Sequence, residues 1–86
     1  MTLEQFNKLY VGKAVHCKTE EHANEFLKLA DSFGYKWFSG HKLTLFNEWD
    51  MNKDKTCYMI HLDEYIIYGN INEEKLPIIK FKGVEE

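Results

Sequence analysis

The fold is decided by residues 19–34, which read TEEHANEFLKLADSFG. Thr19 is a favourable helix N-cap, and Gly34 suits the position just beyond a helix C-terminus. Between them, apolar residues recur at helical spacing and define one face: Ala23, Phe26, Leu27, Ala30 and Phe33. The pattern predicts a helix over residues 20–33 that packs its apolar face on a sheet and leaves its charged side chains outside.

Five short segments around this helix have the composition of strands. They are residues 13–18, 35–39, 56–62, 65–68 and 76–81. Alternation along the first segment predicts that Val15 and Cys17 share one face of the sheet. The short gap between the third and fourth segments predicts a hairpin turn at Asp63-Glu64.

The remaining segments complete the predicted architecture. Thr2 and Gln5 have the spacing of a capping box, which predicts a short helix that ends near Tyr10. Residues 41–55 are ambiguous, although Thr44 is placed to cap one helical turn through Trp49. The order of elements predicts a single α+β domain over residues 1–86, with one long helix on a mostly antiparallel four- to five-stranded sheet and a short N-terminal helix.

Composition narrows the classes of protein that this chain can belong to. The 86 residues carry a net charge of −3 and are 44% hydrophobic and 15% aromatic, which is typical of a folded domain. No apolar run approaches the ~20 residues that cross a bilayer, and the acidic start lacks the features of a signal peptide. We therefore expect a cytoplasmic protein without membrane contact, in which Cys17 and Cys57 are free thiols.

Residues that carry chemistry in other proteins form no recognisable motif in this chain. Cys57 and His61 have a zinc-like spacing, but four positions along a strand span about 13 Å, too far to share one ion. Cys17 precedes a helix N-terminus, which favours a thiolate, but no motif ties it to a histidine base. The sequence predicts no catalytic residue, no metal site and no cofactor.

The most unusual segment is residues 35–42, YKWFSGHK, which combines aromatic rings, lysines, a hydroxyl group and a glycine. Such a set can stack on a base or ring and hold phosphates. The candidate ligand- or partner-binding residues are Lys36, Trp37, Ser39, His41, Lys42 and Trp49. The competing interpretation is packing, with Trp37 in the core and Gly40-His41 in a turn.

Several short runs carry a resemblance to known proteins. The runs are AVHCKTEE at 14–21, GYKWFSG at 34–40, WD at 49–50 and KTCY at 55–58. As a set they resemble small proteins encoded by phages and prophages of low-GC Gram-positive bacteria, a family without an assigned activity. The resemblance implies a site of action in the cytoplasm of an infected or lysogenic host. By analogy with other small phage proteins, it implies an inhibitor or sponge directed at host defence.

We therefore expect a non-enzymatic accessory binding protein that antagonises a host anti-phage factor. One version is a homo-oligomer that sequesters a nucleotide signal, with contacts from Lys36, Trp37, Ser39, Lys42 and Trp49. The other is an inhibitor whose acidic helix face, formed by Glu21, Glu25 and Asp31, meets a basic surface of a host protein.

Two alternatives and one surface feature complete the sequence-based hypotheses. One alternative is a single-stranded nucleic-acid-binding accessory factor, which the absence of arginine and the negative net charge disfavour. The other is a small enzyme that uses Cys17. In addition, Tyr58, Tyr65 and Tyr68 are expected to form an outer aromatic patch that favours self-association or a partner.

Overall fold

The computed structural model describes residues 1–61 and 65–83, and this part of the chain contains two α-helices and five strands. The helices are α1 (Leu3–Tyr10) and α2 (Glu20–Ser32). The strands are β1 (Ala14–His16), β2 (Lys36–Trp37), β3 (Thr56–Ile60), β4 (Tyr65–Asn70) and β5 (Ile78–Lys80). The hairpin turn predicted at Asp63-Glu64 lies outside the described residues.

Both α-helices begin and end where their capping residues predict. Thr2 accepts a hydrogen bond from the backbone of Gln5, whose side chain accepts one from the backbone of Thr2, so the capping box is complete. Thr19 accepts from the backbone N–H of His22 at the start of α2. After the last turn of α2, Gly34 has a φ of +95°, a left-handed conformation that glycine adopts without steric cost.

The segment that the sequence leaves ambiguous, residues 41–55, forms no α-helix. It contains two single turns of 3-10 helix, Leu43–Leu45 and Lys53–Lys55. The turn predicted to be capped by Thr44 is therefore shifted, and no side chain caps it. Leu43 is buried and holds this turn against the rest of the molecule, so packing rather than capping sets its position.

The five strands form one sheet in the order β2-β4-β3-β1-β5. β3 pairs antiparallel with both of its neighbours, β1 and β4. By contrast, β5 pairs parallel with β1, and β2 pairs parallel with β4. The predicted α+β class is confirmed, whereas the mostly antiparallel sheet is matched only in part, because the pairings at the two edges are parallel and the sheet is mixed.

Two long connections explain the parallel pairings. α2 carries the chain from β1 past β3 and β4 to the far edge, so β1 and β2 run in the same direction, as in a βαβ crossover. Residues 71–77 carry it back across the sheet from β4 to β5. Strand direction therefore depends on which strands these connections join, and local sequence patterns do not encode that choice.

The main hydrophobic core lies between the helices and one face of the sheet. Phe26 of α2 sits at its centre, with its ring centroid 5.8 Å from the rings of Phe6 in α1 and Tyr58 in β3. Tyr58 is fully buried, so it does not belong to the predicted outer patch. Tyr65 and Tyr68 are exposed, as that prediction requires.

A smaller cluster covers the opposite face of the sheet. Its buried members are Ala14, Cys57 and Met59. Val15 and Cys17 face the helices instead, as the alternation along β1 predicts. The two cysteines therefore lie on opposite faces of the sheet, and both are free thiols.

Candidate functional site

A groove of about 430 Å³ opens at the side of the sheet where β2 ends and β4 continues. Three stretches of chain line it: the end of β2 with its following turn, the loop before β3, and the centre of β4. The lining residues are Trp37, Phe38, Ser39, His41, Phe46, Glu48, Ile66, Ile67 and Tyr68. Its walls are mainly apolar, with a few polar groups among them, as is usual for binding sites.

A tight turn after β2 forms the first wall of the groove. The backbone N–H of Trp37 donates to the carbonyl of His41 at 3.0 Å, and the N–H of Gly40 donates to the carbonyl of Trp37 at 2.7 Å. The hydroxyl of Ser39 lies 2.8 Å from Nδ1 of His41. The ring of His41 packs edge-on against Phe46, with centroids 5.5 Å apart. The turn therefore holds a hydroxyl group and an imidazole in the groove wall.

Asn47 anchors the loop that forms the second wall. Its side-chain amide donates to Glu20 at 2.8 Å and to Asn24 at 3.0 Å, both on α2. Its side-chain oxygen accepts from the backbone N–H of Trp49 at 3.0 Å. Its backbone carbonyl accepts from the hydroxyl of Tyr58 in β3. Asn47 is thus tied to the helix, to its own loop and to the sheet.

The anchoring of Asn47 positions its two neighbours, Phe46 and Glu48, in the groove wall. Glu48 has a φ of 56°, in the left-handed region that residues with side chains rarely adopt. Within the described residues its carboxylate makes neither a hydrogen bond nor an ion pair. Backbone strain of this kind costs about 1–3 kcal/mol and clusters at functional sites. Glu48 therefore brings to the groove, on a strained backbone, a carboxylate that none of the described residues pairs.

Trp37 lies between the groove and the main core. Its side chain is only 5% exposed, and its ring centroid is 6.0 Å from that of Tyr58 and 6.1 Å from that of Tyr68. Its indole Nε1 is buried and has no hydrogen-bond partner among the described residues. A buried donor left unpaired costs about 1–3 kcal/mol.

The outer edge of β4 is open beside the groove. The N–H of His61 donates to the carbonyl of Tyr65 at 2.9 Å, so the odd-numbered residues of β4 direct their backbone groups toward β3. The even-numbered residues face outward, and the carbonyl of Ile66 accepts from the N–H of Phe38 at 3.1 Å. β2 ends there, so in the described part of the chain no strand lies beside the backbone of Tyr68.

Three of the six candidate residues predicted from the sequence meet in the groove lining: Trp37, Ser39 and His41. The packing interpretation also applies to two of them. Trp37 is a core residue over most of its surface, and His41 closes the predicted turn at Gly40-His41. These residues therefore shape the groove as well as line it.

The other three candidates, Lys36, Lys42 and Trp49, lie outside the groove lining. Lys42 forms an ion pair with Asp31 of α2 at 2.8 Å. Lys36 is exposed on β2, and Trp49 is half-buried against the main core. Neither lysine of the predicted phosphate-holding pair therefore lines the groove beside Trp37.

Most of the groove lining consists of residues that sequence patterns did not identify as a site. Phe38 is 73% exposed and follows a buried residue in a short strand, so strand alternation is the signal that could have identified it as outward-facing. Phe46 and Glu48 come from residues 41–55, which have no periodic pattern. Tyr68 was expected in an outer patch, but its position beside an open strand edge depends on the length of β2.

The cysteines lie in surroundings unlike those of reactive thiols. Cys17 and Cys57 are both fully buried. Burial raises the pKa of each thiol, and for Cys57 burial together with the nearby Glu74 carboxylate raises it to about 11. A nucleophilic cysteine needs an accessible thiol with a lowered pKa. The environment of Cys17 is therefore the opposite of what the Cys-dependent alternative requires.

Other arrangements of reactive groups are also incomplete in the described residues. Ser39 and His41 form a hydroxyl–imidazole pair, but within residues 1–61 and 65–83 no carboxylate contacts the imidazole to orient it as a base. Over the same residues, no three His, Cys, Asp or Glu side chains converge to hold a metal ion. None of the described helices has the length and hydrophobicity to cross a bilayer.

No protein-family model, curated protein or solved structure matches the chain. No ligand or activity can therefore be carried over from a relative.

Proposed function

We propose that the protein is a non-enzymatic binding protein that acts through contact with another protein, and that the groove is the centre of the contact surface. The observation that carries this proposal is the apolar surface at the groove. Phe38 is 73% exposed, and Phe46 and Tyr68, which line the same groove, are exposed as well. Single exposed apolar side chains are ordinary, but a contiguous patch on a small domain marks an interaction surface.

Neighbouring side chains extend this patch in two directions. The ring of Phe38 packs edge-on against Tyr65, with centroids 6.0 Å apart. The hydroxyl of Tyr68 lies 3.5 Å from the sulfur of Met51, which is 71% exposed. Aromatic and methionine side chains are enriched at protein interfaces because they bury large areas against a partner. The composition of the patch therefore favours a protein partner.

Sequestration of a nucleotide signal is the second candidate, and the groove supports it less well. A phosphate needs cationic groups, whereas the described lining contains the Glu48 carboxylate and no lysine. Lys42, which the sequence offered for this role, is already paired with Asp31. A native mass spectrum tests this candidate: a retained nucleotide mass that Phe38→Ser abolishes would favour sequestration over protein binding.

The acidic face of α2 is also a weaker contact surface than the groove. Of the three carboxylates predicted to form it, Asp31 is paired with Lys42, and Glu25 is half-buried. Only Glu21 is both exposed and free of an ion pair among the described residues. The resemblance to phage proteins makes a host defence protein the expected partner, and we propose that binding at the groove antagonises it.

A comparative pull-down from a lysate of a low-GC Gram-positive host tests the proposal. The bait proteins are the wild type, a Phe38→Ser/Phe46→Ser variant, and a control in which Leu76 and Ile78 become serine. All four side chains are exposed, and the control pair lies near β5 at the other edge of the sheet, so each double variant spares the core. We expect one host protein that the wild type and control retain and the groove variant loses.

Two results would contradict the proposal. One is recovery of the same host protein at the same level by the groove variant. The other is loss of binding in the control as well, because the contact surface would then extend to the opposite edge of the sheet. Circular dichroism of each variant establishes that the fold is intact before binding is compared.

A further inference from the structure

We propose that the groove receives an extended segment of the partner protein, which adds as a strand to the outer edge of β4 and directs a cationic side chain at Glu48. This inference rests on the proposed function, and it specifies the conformation and the charge of the partner segment that binds.

The backbone of Tyr68 supplies the hydrogen bonds for strand addition. Its N–H and C=O point outward, and β2 stops before reaching them. Toward the start of β4 the edge is closed, because the N–H of Phe38 donates to the carbonyl of Ile66. On the other side the carbonyl of Asn70 already accepts from Glu73 at 2.9 Å. The open stretch is therefore short and suits one extended peptide segment of a few residues, which binds through its main chain.

The groove beside this edge fits the side chains and carbonyls of a peptide. Its apolar walls, which include Phe38 and Phe46, suit one aliphatic or aromatic side chain of the added segment. A peptide backbone offers both carbonyl acceptors and N–H donors. One extended segment can thus satisfy both the N–H and the C=O of Tyr68.

Charge complementarity with Glu48 predicts that the partner segment carries a positive charge. Glu48 lines the groove without an ion pair or hydrogen bond in the described part of the chain, and no lysine lines the groove beside it. A lysine or arginine of the segment would form a charge-assisted hydrogen bond with this carboxylate. An acidic segment or a phosphate would be repelled.

A displayed library of random ten-residue peptides, selected against the full chain, provides the probe. We expect enrichment of peptides that carry an aliphatic or aromatic residue at a fixed spacing from a lysine or arginine. The best peptide is then synthesised with a fluorophore, and its affinity is measured by anisotropy. Glu48→Gln is expected to weaken binding about tenfold, whereas the matched control Glu73→Gln, an exposed carboxylate outside the groove, leaves it unchanged.

Amide hydrogen exchange separates strand addition from other modes of binding. Saturating peptide should slow exchange at the Tyr68 amide at least tenfold, because that N–H gains a backbone acceptor. The amide of Ile67 faces β3 and serves as the internal control. Peptide binding with unchanged Tyr68 exchange would overturn strand addition. Slowing that grows with protein concentration in the absence of peptide would overturn it too, because a second copy of the chain would then occupy the edge.

The outcomes also separate this inference from the proposed function. If no peptide is enriched but the host protein is still lost from the Phe38→Ser/Phe46→Ser variant, the extended segment is refuted and the contact surface stands. If the host protein binds that variant normally, the proposed function fails, whatever the peptides do. Enriched peptides without a cationic residue would refute the role of Glu48.

Discussion

Replacing Asn47 with alanine should loosen one wall of the groove by a predictable amount. The change removes three side-chain hydrogen bonds, to Glu20, Asn24 and the backbone of Trp49. The first two are exposed and contribute about 0.5 kcal/mol each, while the third is partly buried and contributes about 1 kcal/mol. The bond from Tyr58 persists, because it is made to the backbone carbonyl. We therefore expect the free energy of unfolding to fall by about 2 kcal/mol.

Urea unfolding followed by tryptophan fluorescence measures this change. In a domain of this size, a loss of about 2 kcal/mol lowers Tm by roughly 8–16 °C. Asn72→Ala is the matched control, because Asn72 is exposed and its side chain makes no hydrogen bond in the described part of the chain. Its effect should stay within about 0.5 kcal/mol.

Two results would refute this reasoning about Asn47. If Asn47→Ala changes the free energy of unfolding no more than Asn72→Ala does, the three bonds do not hold the loop. If Asn47→Ala loses the expected stability but binds the selected peptide as tightly as the wild type, the position of Phe46 and Glu48 is not what binding requires.

Three further changes test separate features. Trp37→Phe keeps most of the packing and removes the buried N–H, so the free energy of unfolding should change by less than about 1 kcal/mol and the affinity for the peptide should stay the same; weaker peptide binding in this variant would show that the indole N–H is reached from the groove. Alanine at the same position would cost about 3–5 kcal/mol and confound the test. Because burial raises the pKa of Cys57 from 9.0 to about 11, the folded state favours the neutral thiol, and stability should fall as pH rises through that range. The difference between the urea midpoints measured near pH 8 and near pH 10.5 should be smaller for Cys57→Ala than for the wild type. An equal difference in the two proteins would contradict the assignment of this pH dependence to Cys57. Glu48→Gly should relieve left-handed strain and raise stability by up to about 1 kcal/mol while weakening peptide binding. Lys53→Gly, at a φ of 51°, is the control and should raise stability without changing the affinity for the peptide. If the two variants bind the peptide equally well, the Glu48 carboxylate does not contribute to binding.

The sequence predicts the helices well because their ends depend on neighbouring residues. Thr2, Thr19 and Gly34 act within one turn of chain, so capping chemistry is visible without tertiary information. The face of the sheet that each residue of β1 occupies also follows from local alternation. Strand direction is different, since β2 pairs with β4 and β5 with β1 across long connections. The mixed sheet could not be derived from alternation or turn residues.

The groove could be predicted only where it is built from consecutive residues. Trp37, Ser39 and His41 belong to one turn and were identified from their residue types. Glu48 reaches the groove because Asn47 ties its loop to α2 and β3, which are distant in sequence. Tyr68 became significant only because β2 is two residues long. Both facts concern contacts between elements, which a single sequence does not display.

The pairing pattern of the sheet also has a consequence for how the chain folds. Among the described strands, β3 and β4 are the one hydrogen-bonded pair that is also consecutive in the chain. By contrast, Ala14 of β1 pairs with the distant residues Met59 and Ile78. Pairings at such sequence separation close large loops and slow the search for the native state. During synthesis, the edge that carries the groove is complete once residue 70 has emerged, while the other edge waits for β5. The two edges of the sheet are therefore expected to form at different times, with the groove edge first.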